Sequence, residues 1–108
     1  MTIDQLRRRI DELDERLVEL LNERASCALR IGEIKQALGL TIYQPDRESE
    51  VLGHVREHGV AIKGPLSAAA LTRLFERIID EARRLERESA HRPGHEPPPR
   101  TDSSTGQD

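Results

Sequence analysis

The chain has 108 residues, enough for one small domain, and only 35% of them are apolar and 2% aromatic, so a single copy has little with which to build a thick core. A net charge of −3 and the near absence of aromatic rings argue against the basic, base-stacking surface of a nucleic-acid binder. No apolar run approaches membrane-spanning length, and the chain opens on helix signals in place of a signal peptide, so no membrane association and a cytoplasmic location are expected.

The first predicted element is a long helix. Thr2 can cap its free amides while Gln5, three residues on, completes a capping-box pattern. Ile3, Leu6, Ile10, Leu13, Leu17, Leu20, Cys27, Ile31, Ile34 and Leu38 then alternate in steps of three and four, a stripe of a/d type. Gly39, able to take a left-handed conformation, is the expected stop. A helix of about 36 residues spans roughly 54 Å, a length that asks for a pairing partner and, with the thin core, points to self-association. Cys27, the lone cysteine, reads as a small packing residue on that stripe. Gly32 lowers helix propensity by roughly 1 kcal/mol relative to Ala and marks a suspected close approach.

Residues 40 to 44, LTIYQ, read as a short loop, with Tyr43 as a packing residue. Pro45 suits the first turn of a second helix, with Asp46 and Glu48 near its positive end and Gly59 as its expected stop. Gly64 and Pro65 form the next connection. Ser67 can cap a third helix with the stripe Leu71, Leu74, Phe75, Ile78, Ile79, Ala82 and Leu85, fading near Ser89. The tail HRPGHEPPPRTDSSTGQD holds four of the six prolines and is expected to be disordered. The reading is therefore an all-α domain over residues 1–90 and a Pro-rich tail over 91–108.

Two cations interrupt the first stripe. Arg24 falls at the a position after Leu17, and Lys35 lies eleven residues on, about 1100° around the helix and so only about 20° from the same face. With Arg47 in the first turn of the second helix, they form a set suited to a small dianion, because arginine presents a planar fork that matches carboxylates. Arg7 is about 25 Å and about 100° from Arg24 on the same helix, too far to share a small ligand. Two copies paired antiparallel would bring the Arg7 of one chain to the cation set of the other and create two equal sites per homodimer. The alternative is structural, with Arg24 an interior cation that specifies register. Arg8, Arg9 and Arg16 read as a solvated face beside Asp11, Glu12, Asp14 and Glu15. His54 and His58 have a zinc-compatible spacing, but no third ligand is near in sequence and no metal is expected.

The segments LRRRIDELDERLVELLNER, IGEIK, YQPDRESEVL and LTRLFERIIDEARRLE, in that order and spacing, resemble the all-helical, AroQ-type chorismate mutases across about residues 3 to 88. The resemblance implies an intertwined three-helix homodimer that converts chorismate to prephenate on the way to phenylalanine and tyrosine, without a cofactor. By position it implies substrate-binding roles for Arg7 of the partner chain and for Arg24, Lys35 and Arg47, with Glu48 on the substrate hydroxyl. Gln44 stands where several members have Asp and make a contact through a backbone amide. Ala82 replaces a frequent Ser and so loses a donor to a substrate carboxylate. Glu86 takes a position often held by Gln, which contacts the ether oxygen.

The implied reaction needs a clamp on both carboxylates, assigned to Arg7 of the partner, Arg24 and Arg47, and stabilisation of charge on the ether oxygen, assigned to Lys35 with Glu86. Glu86 can donate only when protonated, and its place on the apolar face of the third helix predicts a raised pKa. Two alternatives stay open: an isochorismate pyruvate lyase of the same fold, and a non-catalytic regulatory dimer, for which the missing donor at Ala82 speaks.

Overall fold

The computed structural model describes residues 1–41 and 44–90, which form three helices: α1 (Ile3–Ala37), α2 (Pro45–Ile62) and α3 (Ala68–Ala90). Tyr43 and the tail from residue 91 lie outside the described residues.

α1 starts as its sequence demands. The Gln5 amide donates to Thr2 Oγ1 at 3.1 Å and the Thr2 amide donates to Gln5 Oε1 at 2.8 Å, closing the capping box. At the other end Gly39 takes a φ of 74°, the Leu40 amide donates to the Lys35 carbonyl at 2.8 Å, and the Gly39 amide donates to that of Gln36 at 3.2 Å. These two crossed bonds are the Schellman closure, which satisfies carbonyls that the helix would otherwise leave open. α3 begins likewise, with the Ala70 amide donating to Ser67 Oγ at 3.0 Å.

α2 departs from expectation. It does not stop at Gly59 but continues one further turn to Ile62, and Lys63, at a φ of 57°, supplies the left-handed residue that ends it. Gly59 is buried inside the helix, where a Cβ would lie 2.7 Å from Leu71 Cδ1 and 3.6 Å from the Ala68 Cα. The glycine is there to let α2 and α3 approach, a packing role that looks like a helix stop when read along one stretch of sequence.

Among the described residues α3 packs on both α1 and α2, while α1 and α2 do not pack on each other. The result is an open, elongated body of 53 × 30 × 18 Å. Ile79, midway along α3 and 9% exposed, is the one buried apolar side chain among the described residues. Leu74 of the α3 stripe faces solvent, and so do most of the α1 stripe residues, Leu17 at 55% exposure among them. Cys27 is also exposed, so its expected packing is not made within the chain. A chain with this pattern leaves a continuous apolar seam along α1 without cover.

Candidate active site

Where α3 crosses between α1 and α2, their side chains line a cleft of about 270 Å³. α1 supplies Arg24 and Lys35, which eleven residues of helix bring to one face. The start of α2 supplies Gln44, Arg47 and Glu48, and α3 supplies Ala82 and Glu86. Ile31, Val51 and Ile79 form its apolar wall. Seven of the eight residues singled out from the sequence therefore meet at one place. Arg7 does not; it stands exposed in the second turn of α1, well away from the cleft of its own chain.

Arg83 is the member that sequence reasoning missed. Its guanidinium reaches from α3 to α2 and grips Glu48 with two bonds, Nε donating to Oε2 at 3.0 Å and Nη2 to Oε1 at 2.6 Å. Both partners are half-buried. On its other side Arg83 Nη1 lies 3.8 Å from Asp80 Oδ1, one turn back on α3. A signal was present: Arg83 is four residues after Ile79 and three before Glu86, so all three share one helix face.

Arg47 takes a different partner, Glu50, at 3.2 Å. That pair is strongly exposed and of little energetic weight, so a ligand carboxylate can draw Arg47 away at small cost.

Glu86 reaches from α3 to the α1 backbone at Gly32. A Cβ on Gly32 would lie 3.3 Å from Glu86 Oε2 and 3.5 Å from its Cγ, tight enough that the glutamate would have to give by a few tenths of an ångström, so the bare α1 backbone at Gly32 gives this side chain room. Glycine adds no helix propensity there; it makes room, which resolves the suspected close approach. Burial raises the Glu86 pKa above its ordinary value, the Lys35 ammonium pulls it down, and the Glu48 carboxylate pushes it up again. Burial is the strongest of the three, and the net direction is upward.

The charge balance of the cleft follows. Arg24, Lys35, Arg47 and Arg83 face Glu48 and Glu86. The Arg83–Glu48 fork cancels one charge of each sign, and Glu86 can offset at most one of the cations that remain, so the balance left is cationic. An apolar wall with converging cations suits a small ligand carrying two negative charges.

Fold and cleft together define an all-helical domain with a cationic cleft between three helices. The chain belongs to the type II chorismate mutase family, whose profile matches residues 6–87. The bifunctional chorismate mutase/prephenate dehydratase of Pseudomonas aeruginosa is 43% identical over 86 residues, covering 75% of this chain and 23% of its own length. The chain thus spans about a quarter of such relatives. The 4-amino-4-deoxychorismate mutase of Streptomyces pristinaespiralis is 35% identical over 86 residues, covering 80% of this chain and 65% of that one. Among solved structures, form II of the chorismate mutase from Thermus thermophilus superposes with a TM-score of 0.74 at 30% identity, covering 79% of this chain and 93% of that one.

Proposed function

We propose that this domain rearranges chorismate to prephenate as a cytoplasmic homodimer serving phenylalanine and tyrosine synthesis, with Arg7 of each chain completing the cleft of its partner. The observation that carries the reading is the convergence of Arg24, Lys35, Arg47, Glu48 and Glu86 on one cleft with a cationic balance. The bare apolar seam of α1 supports the dimer, because a second copy presents a stripe of the same spacing. Family membership supports the substrate.

The reaction is an intramolecular Claisen rearrangement: the ether C–O bond breaks, a C–C bond forms, and no proton, electron or leaving group enters or departs. The protein therefore has two tasks. It must hold the folded, diaxial conformer, and it must stabilise negative charge that grows on the ether oxygen. Arg24, Arg47 and the partner's Arg7 hold the two carboxylates, with Gln44 and Ala82 shaping the wall beside them. Glu48 accepts the substrate hydroxyl. Lys35 donates to the ether oxygen, and a protonated Glu86, resting on Gly32, donates beside it.

The Streptomyces relative gives one specific second reading, rearrangement of 4-amino-4-deoxychorismate. Incubating the purified chain separately with chorismate, isochorismate and 4-amino-4-deoxychorismate, and identifying the products, tests all of these. Prephenate from chorismate is the expected result. Salicylate plus pyruvate from isochorismate alone, or no turnover of any of the three, refutes the proposal.

A further inference from the structure

The Arg83–Glu48 fork is a bond between two elements of the cleft that no role so far requires. Both oxygens of the Glu48 carboxylate are occupied, by Nε at 3.0 Å and by Nη2 at 2.6 Å, and both side chains line the cleft. A planar two-point grip fixes the carboxylate plane as well as its position, which one ammonium could not do. Arg83 is itself steadied by Asp80 on the side away from Glu48. Arg83 thus joins Asp80 on its own helix to Glu48 in the first turn of α2.

Two consequences bear on a ligand. Held in this way, Glu48 keeps its remaining lone pairs for a donor at one fixed place. In addition, the guanidinium bound to both of its oxygens, far closer than it lies to Asp80, offsets most of its charge, so the pair offers hydrogen-bond acceptance with much less negative charge than a lone carboxylate. An accepting group of that kind suits a neutral hydroxyl. A lone carboxylate in the same half-buried place would favour an ammonium, by direct charge attraction.

Resting on the proposed mutase reading, we infer that Arg83 is a positioning residue that acts through Glu48 to select a ring hydroxyl over a ring amine in the substrate. Discrimination then comes from cancelling an attraction to the wrong substrate as well as from fitting the right one.

The test compares chorismate with 4-amino-4-deoxychorismate, whose amine is protonated at neutral pH. The readout is the ratio of kcat/KM values, with the amine compound's competitive Ki against chorismate taking its place where turnover is absent. Arg83→Met is expected to shift the ratio toward the amine by at least about tenfold, mostly through KM, as removal of a countercharge from a partly buried carboxylate implies. Arg83→Lys restores the charge and is expected to bring the ratio back to within about threefold of the unaltered chain. In a Glu48→Gln background, Arg83→Met is expected to leave the ratio unmoved, since the carboxylate through which it acts is gone. If the methionine variant does not fold, Arg83→Gln provides the same reading.

Equal losses on both substrates, or the same shift with and without the Glu48 carboxylate, would overturn the inference and leave the mutase reading standing. Failure of the unaltered chain to convert chorismate would overturn both.

Discussion

Glu86 sits under opposing influences: the apolar surroundings and Glu48 favour its protonated form, and Lys35 favours the ionised one. Because burial wins, its pKa lies above the ordinary 4.5, and the acid form persists to higher pH than a solvent-exposed glutamate allows. A donor role then predicts that kcat/KM for chorismate falls as pH rises through that raised value, and that Glu86→Gln, a permanent donor, flattens the fall. A pH–rate profile of both proteins checks this, and identical profiles would remove Glu86 from the chemistry. The stability effect has the same sign. A raised folded-state pKa contributes stability that is full below 4.5 and is lost as pH rises through the raised value, so denaturation midpoints of Glu86→Gln should vary less over that window. In the proposed mechanism Lys35→Ala takes the cation away from the ether oxygen, and a loss of roughly 3 kcal/mol in transition-state stabilisation, about a hundredfold in kcat/KM, is expected from the behaviour of oxyanion donors. Steady-state kinetics at one pH suffice to measure it.

At the scale of elements, two glycines in α2 show how position decides what a residue does. Gly53 has nothing within 4 Å of where its Cβ would be, so Gly53→Ala should gain up to about 1 kcal/mol by helix propensity alone. Gly59 lies against α3, where even a Cβ would press on Leu71 Cδ1 at 2.7 Å. The leucine methyl can turn aside from one carbon, but not from a whole branched side chain, so Gly59→Leu should cost about 1–3 kcal/mol by overpacking, outweighing its propensity gain. Urea denaturation of the two variants should move in opposite directions. The misreading of the α2 end has the same root. Gly59 and Gly39 look alike in sequence, yet one is a helical residue with a neighbouring helix against it and the other has a φ of 74° in a Schellman closure.

At the scale of the whole molecule, the described residues leave the apolar core thin and Arg7 outside the cleft. A seam of apolar residues along α1 is bare, and Arg7 stands apart from the cations it is expected to join. In the proposed homodimer both are explained by one antiparallel pairing. This predicts complementation between inactive chains. Arg7→Ala and Lys35→Ala, mixed and allowed to exchange, should form hybrid dimers with one doubly altered site and one intact site. Because half of the dimers are hybrids, about a quarter of the unaltered activity should return. Activity no greater than the sum of the separate variants would place Arg7 outside the partner's cleft.

Short-range physics made much of this protein legible from its sequence. The cap at Thr2, the closure at Gly39, the spans of α1 and α3, the start of α2 at Pro45 and the common face of Arg24 and Lys35 depend on residues within a few turns of one another, and helical geometry is regular over that range. Residue chemistry added Arg47 to that cation set, the family resemblance added Gln44, Glu48, Ala82 and Glu86, and all five line one cleft. Only the tertiary structure decided the rest. The fork between Arg83 and Glu48 joins residues 35 positions apart, Gly32 matters because Glu86 arrives from α3, and Gly59 because Leu71 does. Each depends on how two helices cross, and crossing geometry comes from the sum of many weak side-chain contacts that no local spacing encodes.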